Sequence, residues 1–354
     1  MFSRMVSLSR EITLAMAFEH GTDEVLRRLS DPLWFQAFGC VLGFDWHSSG
    51  LTTTTCGALK EGLRGLEGEL GIFVAGGKGK TSRLAPREIE EAGERYAIQG
   101  DHKKLVRASR MAAKVDSAAV QDGYQIYHHT FIFTASGQWA VVQQGMNEVS
   151  HYARRYHWLS DRVADFVREP HFAIVSDPTT GEPVLNMVAT EGEACRETSA
   201  SLSREKPEAI GQEIRRMQSL DLPPHHEILV QDLNPASLNR AMLKTYESQP
   251  DDFESLLELP GVGAKTIRAL ALVSDLLYGS RASLRDPAGF AFAHGGKDGH
   301  PYPVDRENYD HSIEFLKEAL RRAKVGDRER LDGLRRLDKW QNSLKGTADA
   351  TDAG

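Results

Sequence analysis

The segment Leu256–Ile267 constrains the fold of this chain more than any other. It reads Leu-Leu-Glu-Leu-Pro-Gly-Val-Gly-Ala-Lys-Thr-Ile, with helical apolar patterns running into it and out of it. The proline opens a turn, and the glycines lack a Cβ, so the backbone there can adopt positive φ and come close to a ligand. Amides at the start of the following helix form a ready site for an anion. The segment therefore predicts a helix-hairpin-helix element that binds a nucleic-acid phosphate.

The roles of individual residues in this hairpin follow from their positions. We expect Val262 to enter the core, while Gly261 and Gly263 let the backbone approach the phosphate. Lys265 and Thr266 fall in the first turn of the second helix, where they add a charge and a hydroxyl. The alternative interpretation is a tight turn between two helices that binds nothing.

Composition limits how such a chain can bind DNA. The formal net charge is −7 at pH 7, which argues against binding by bulk electrostatics. A phosphate-binding surface must therefore be a local patch on an acidic body. One candidate patch is Leu320–Trp340, which has eight basic residues against four acidic ones, although a solvated pair of charged helices would have the same composition.

Cysteine usage and hydropathy indicate the compartment. Cys40, Cys56 and Cys195 are an odd number without Cys-x-x-Cys spacing, so they indicate neither a disulfide framework nor a cysteine-rich metal site. The sequence shows no secretory signal and no run of about 18 apolar residues. We expect a cytoplasmic protein without a membrane segment, and its oligomeric state stays open.

A change in pattern at Pro223-Pro224 predicts the domain organisation. We expect an α/β domain over residues 1–222, a helical domain with the helix-hairpin-helix over residues 223–344, and a disordered tail over residues 345–354. The predicted fold class is thus a mixed α/β N-terminal domain with a β-hairpin, followed by an all-α domain.

The β-hairpin is predicted from aromatic and β-branched residues in Tyr124–Thr134 and Gln138–Gln144, joined by Ala135-Ser136-Gly137. Other patterns predict helices at 24–29, 32–40, 56–66, 148–155 and 161–167, one long helical region at 86–116, a loop leading into a strand at Thr52–Thr55, and strands at 71–75, 172–175 and 184–187.

Polar residues in apolar surroundings make the α/β half a candidate for chemistry. Asp45 and His47 are two positions apart, so on a strand they would share one face. A carboxylate and an imidazole can together hold a divalent cation. The alternative is a capped turn.

A second polar group surrounds the predicted β-hairpin. Asp122 precedes its first strand, His128 lies on that strand, and Gln144 lies on the second strand, near Asn147. We expect these side chains to converge at one end of the hairpin. With Lys80 (or Lys78) offsetting developing charge, they would suit phosphodiester hydrolysis assisted by Mg²⁺ or Mn²⁺. The expected metal ligands are Asp45, His47, Asp122 and His128, and the alternative is a hairpin of satisfied polar residues.

The Leu-Pro-Gly-Val-Gly-Ala-Lys-Thr string resembles the hairpin of the helix-hairpin-helix DNA glycosylases. Lys265 occupies the position at which bifunctional members carry their Schiff-base lysine, and Pro303-Val304-Asp305-Arg306 is similar to the segment with their catalytic aspartate. The resemblance implies a glycosylase or AP lyase that uses Lys265 and Asp305. The separation of 40 residues departs from the family's pattern, because it includes a foreign Gly-rich loop with His294, Lys297, Asp298 and His300.

Four further strings resemble a family of bacterial and archaeal proteins known as domain of unknown function 763. The strings are Gly39–Gly50, Gln143–Asn147, Tyr156–Leu159 and Phe292–Pro301, and the resemblance extends from about Arg27 to Leu337. It implies a prokaryotic cytoplasmic protein with a C-terminal helix-hairpin-helix, and it assigns no catalytic residues.

Three functions therefore stay open at the level of sequence. The first is a metal-dependent DNA nuclease in repair or processing, which gives a role to both halves of the chain. The second is the glycosylase or lyase, and the third is a non-enzymatic DNA-binding or recruitment protein.

Overall fold

The structure is a computed structural model that describes residues 2–44, 50–176, 183–218, 235–289 and 306–351. Asp45, His47, Asp305 and the loop with His294–His300 lie outside the described residues. The helices are α1 Phe2–His20, α2 Thr22–Ser30, α3 Pro32–Leu42, α4 Leu51–Leu63, α5 Glu67–Leu70, α6 Ala85–Arg95, α7 His102–Lys114, α8 Glu193–Ser203, α9 Pro207–Gln218, α10 Pro235–Ser248, α11 Phe253–Glu258, α12 Ala264–Tyr278, α13 Arg306–Arg322 and α14 Asp327–Thr351. The strands are β1 Ile72–Lys78, β2 Val120–Gln121, β3 Gln125–Thr134, β4 Trp139–Met146, β5 Ala153–Leu159, β6 Ala173–Ser176 and β7 Leu185–Asn186.

An antiparallel sheet in the order β1-β3-β4-β5-β6 lies at the centre of the molecule. The predicted β-hairpin is confirmed as β3 and β4. Because side chains alternate along a strand, the sheet has two faces, and helices cover both. The mixed α/β class is therefore as expected.

Each face of the sheet belongs to its own hydrophobic core. Phe131, Val141 and Trp158 pack with residues of α6, α7, α8, α11 and α12, and this side is called the α7 face. Ile132, Val142 and Leu159 pack on the opposite side with residues of α1–α4, α13 and α14, and this side is called the α3 face.

Several predicted elements differ in the structure. Thr52–Thr55 lie in α4 and not in a strand. Thr52 and Thr55 are on the buried face of this helix. The predicted helix at 148–155 is wrong, because residues 153–159 pair with β4 and β6 as β5. The helical region at 86–116 is divided between α6 and α7, and at 161–167 only a 3-10 turn over Ser160–Arg162 forms. Helix α14 extends to Thr351, where composition predicts a disordered tail.

Among the described residues, no helix combines the length and apolar character needed to cross a membrane.

Candidate functional site

The turn between α11 and α12 places two glycines at the surface. Gly261 has φ +93°, a conformation that side chains rarely adopt, and a Cβ built on Gly261 or Gly263 would meet no atom within 4 Å. Val262 between them is 2% exposed and anchors the turn in the core. The backbone of the turn is therefore open to a ligand on its outer side, while the buried Val262 side chain fixes its position.

Lys114 at the end of α7 holds this turn in place. Its Nζ donates to the backbone oxygen of Leu259 at 3.0 Å and to that of Val262. Burial, followed by the repulsion of Lys244, lowers the pKa of Lys114. The carbonyl oxygens of Leu259 and Val262 are thus bound from inside.

The N-terminus of α12 receives no side-chain cap from the described residues. Its N-cap residue is Gly263, and the first backbone bond of the helix is from Ile267 N to Gly263 O at 3.0 Å. The first amides of a helix have no partner within the helix, so uncapped ones at a surface can bind an anion. Helix α7 is a contrast within the same molecule, because Asp101 caps it by accepting from Lys103 N at 2.9 Å.

Charges near the α12 N-terminus favour an anion. Lys265 is exposed and forms no ion pair with the described residues. Glu254 and Glu258 of α11 are both bound by Arg107, at 2.7 and 2.8 Å. Thr266 is 5% exposed, so it packs inward and does not project as a surface hydroxyl.

A separate polar centre is buried on the α7 face around Asp116. This residue lies in a π-helical turn, Val115–Ala119, that follows α7. One carboxylate oxygen accepts from Trp158 Nε1 at 3.0 Å and from Gln143 Nε2, and the other lies 2.5 Å from His171 Nε2. The carboxylate accepts hydrogen bonds from all three nitrogens, so His171 Nε2 carries a proton.

The hydrogen bonds continue from Gln143 to α7. Gln143 Oε1 lies 2.8 Å from His129 Nδ1, and His129 Nε2 lies 2.8 Å from Ser109 Oγ. Because Gln143 Oε1 can only accept, His129 donates from Nδ1 and accepts the serine proton at Nε2. Burial lowers the pKa of His129, against the opposing effects of Gln143 and Asp116, so its ring is neutral.

Asp122 belongs to a neighbouring cluster on the same face. Arg154 binds Asp122 at 2.9 Å and Asp286 through two bonds at 3.0 and 2.7 Å. Tyr156 Oη donates to Asp122 at 2.6 Å. Burial opposes the charge on Arg154, but the two carboxylates outweigh it and raise its pKa. The cluster is a buried ion network that leaves Asp122 little freedom to bind a metal.

His128 and Gln144 lie on the α3 face. His128 lies opposite Gln144 in the strand register, Gln144 lies opposite Arg155, and Arg155 points away from its neighbour Arg154. His128 Nε2 lies 2.9 Å from Thr130 Oγ1, and burial lowers the pKa of His128 to about 3. The expected convergence of Asp122 with His128 and Gln144 is therefore not found, because the sheet separates them.

The other predicted residues are dispersed. Lys80 is exposed in a 3-10 turn, Gly79–Leu84, that follows β1. Within the described ranges, no three His, Cys, Asp or Glu side chains form a group able to hold a metal ion.

The sequence interpretation missed Asp116 and His171. A single acidic residue in the apolar string Val115-Asp116-Ser117-Ala118-Ala119 was a usable signal, because a lone carboxylate on a buried helix face needs partners. His171 had no such signal, since its partner is 55 positions away in the chain.

The fold and site define a three-layer α/β protein with buried polar side chains on both faces of its sheet. The chain matches the family model "Protein of unknown function (DUF763)" over residues 1–304, and it belongs to this family. No curated protein and no solved structure matches it significantly.

Proposed function

We propose that this protein binds DNA through the backbone phosphates, using the α11–α12 hairpin. The observation that carries the proposal is the uncapped α12 N-terminus, which lies beside Lys265 and is open above Gly263. The first amides and the positive end of the helix dipole meet at this terminus, and the exposed Lys265 adds an ammonium group in its first turn. Contacts of this kind position a strand and carry no sequence information.

The anchoring of the turn supports a binding role over a simple connection. Val262 fills the core, and Lys114 satisfies the carbonyl groups, so the amide side is held ready before a ligand arrives. Preorganisation of this kind lowers the entropic cost of binding.

Fluorescence anisotropy with labelled duplex and single-stranded DNA tests the proposal across a range of salt concentrations. Gly263→Ala is expected to weaken binding without unfolding the protein, because the added methyl group meets no protein atom but lies in the path of a phosphate. Lys265→Ala is expected to weaken binding and to reduce the slope of log K against log salt by about 1.

Lys103→Ala is the matched control, because Lys103 is also the second residue of its helix but follows the capping Asp101. We expect wild-type affinity from it. Unchanged binding in both Gly263→Ala and Lys265→Ala would contradict the proposal.

The catalytic hypotheses from the sequence draw no geometric support. The metal-dependent nuclease needs Asp122 and His128 on one side of the sheet, and they are on opposite sides. For the glycosylase or lyase, Lys265 is exposed and Asp305 is outside the described residues. Borohydride trapping on an abasic-site duplex in EDTA tests the second of these directly.

A further inference from the structure

We propose that helix α7 extends the DNA-binding surface beyond the hairpin, with Arg110 binding a second backbone phosphate beside the one at the α12 N-terminus. The inference rests on the proposed function, because it adds a contact to the same DNA. It concerns an exposed residue that the sequence hypotheses did not include.

Helix α7 is strongly basic, although the chain as a whole is acidic. Its 13 residues, His102–Lys114, contain no aspartate or glutamate and five basic residues: Lys103, Lys104, Arg107, Arg110 and Lys114. The net charge of the whole chain is −7. A local patch on an acidic body is the form that a phosphate-binding surface must take in such a chain.

Three of these residues lie on one side of α7, along the hairpin. With 3.6 residues per turn, Arg107, Arg110 and Lys114 fall within a sector of about 60°. Arg107 binds Glu254 and Glu258 of α11 at 2.7 and 2.8 Å. Lys114 binds two backbone oxygens of the α11–α12 turn. This side of α7 therefore follows α11 as far as the turn, and Arg110 lies between the two contacts, about 6 Å along the helix axis from Lys114.

Arg110 itself has no partner among the described residues. It is exposed, and it forms neither an ion pair nor a hydrogen bond with them. The positions three and four residues away on α7 are Val106, Arg107, Ala113 and Lys114, so its own helix offers no acid. Two of these neighbours are cations, and like charges at this spacing repel each other. A bound phosphate would offset that repulsion.

The charges next to α7 favour an anion near the turn. The two acids of α11 that contact α7 are both bound by Arg107. Burial, and then the repulsion of the exposed Lys244 of α10, lowers the pKa of Lys114, so a further cation lies near the turn. Lys265 adds another in the first turn of α12. The cations thus concentrate where the α12 N-terminus also attracts an anion.

The basic segment Leu320–Trp340, which composition indicates as a patch, differs from α7. Four of its arginines bind an acid three or four positions earlier in the chain: Arg321, Arg322, Arg330 and Arg335. Charges that are paired within their own helix are less available to a phosphate. The geometry therefore favours α7 over this segment as the second contact.

Fluorescence anisotropy with the full chain and a labelled duplex, between about 50 and 200 mM salt, tests the contact. Arg110→Ala is expected to raise the Kd and to reduce the slope of log K against log salt by about 1. Because the salt concentration changes fourfold, the ratio of its Kd to that of the wild type should fall about 4-fold over this range. The unfolding midpoint should not change, since Arg110 is exposed.

Arg110→Lys keeps the charge and should keep most of the wild-type slope, as a phosphate contact requires. Lys104→Ala is the matched control, because it removes one exposed cation from the same helix at a position about 120° around the axis from Arg110. We expect the wild-type slope from it. The double variant Arg110→Ala with Lys265→Ala should reduce the slope by about 2.

The outcomes separate this inference from the proposed function. A wild-type slope in Arg110→Ala, with binding weakened by Gly263→Ala and Lys265→Ala, would overturn the inference alone. Equal losses in Arg110→Ala and Lys104→Ala would overturn it too, because the effect would then follow net charge and not position. A reduced slope in Arg110→Ala without any effect of the hairpin variants would instead overturn the proposed function. A wild type that binds no DNA would overturn both.

Discussion

At the scale of single residues, Arg154 shows how the ion network around Asp122 contributes to stability. Its guanidinium is 2% exposed and is bound by Asp122 and Asp286, which come from segments far apart in the sequence. Removing one partner from a buried ion network leaves charges without compensation, and this costs more than the network itself contributes.

Arg154→Met should therefore lower the free energy of unfolding by about 3–5 kcal/mol, as measured by urea denaturation. Arg83→Met, at an exposed position without an ion pair to the described residues, is the control and should stay within about 0.5 kcal/mol of the wild type. Equal effects of the two substitutions would show that the Arg154 network is not a stability determinant.

The sequence allows the polar residues near the β-hairpin to be predicted, but not the face of the sheet on which each side chain lies. Asp122, His128 and Gln144 were correctly singled out as polar residues near a β-hairpin, and both strands of that hairpin are confirmed. The pairing of β3 with β4 is irregular between Ile126 and His128, and a turn precedes β3. Asp122 consequently lies with Arg154, on the face of the sheet opposite to His128 and Gln144. Such a shift depends on packing against Arg154 and Tyr156, which no local pattern encodes.

At the scale of elements, β5 shows why part of the sheet was missed. Its sequence Arg154-Arg155-Tyr156-His157 has polar side chains on both faces, so the alternation of apolar and polar residues that indicates a strand is absent. All four residues are buried, because Arg154 and Tyr156 bind Asp122 on one face and Arg155 donates to His157 on the other. The hairpin β3–β4 was found because its apolar end, Phe131–Thr134, has the expected composition.

The pairing of β1 with β3 allows the cost of a steric clash between two strands to be measured. Gly76 has φ +86°, and a Cβ there would lie 2.2 Å from the backbone oxygen of His129. Gly79 has φ +60° but would meet no atom within 4 Å. Gly79→Ala should cost about 1–2 kcal/mol for the backbone conformation alone. Gly76→Ala should cost about 1–3 kcal/mol more, because β1 must move away from β3.

Thermal and urea unfolding of the two glycine variants, compared with the wild type, measure this difference. Similar losses of stability in the two variants would mean that the strands separate without cost at Gly76.

At the scale of the whole molecule, the two cores do not follow the predicted domain boundary. Helices α11 and α12 pack with α7 and α8 in one core, and α13 and α14 pack with α1 and α3 in the other. The predicted linker at Pro223-Pro224 is outside the described residues, so the division at residue 222 stays a prediction about independent folding. A sequence shows where the pattern of helices and strands changes. It does not show whether the segment that follows packs into the same hydrophobic core as the segment before it.

The placement of neutral histidines on both sides of the sheet makes the stability of the whole molecule depend on pH. Burial, with His129 and Lys78, lowers the pKa of His128 to about 3, and burial followed by Arg155 lowers the pKa of His157 well below its ordinary value. The pKa of His129 is lowered as well. In the unfolded chain each titrates near the ordinary histidine pKa of 6.5, so below that pH the unfolded state binds more protons than the folded state.

The free energy of unfolding should therefore fall as the pH falls below about 6.5, by up to about 1.4 kcal/mol per pH unit for each such histidine. Urea denaturation between about pH 7.5 and pH 5 measures this slope above the range in which carboxylates titrate. His128→Gln keeps a polar side chain but removes the titrating group, so it should reduce the slope, whereas His20→Gln should not. An unchanged slope in His128→Gln would mean that His128 stays solvated enough to hold its proton in the folded protein.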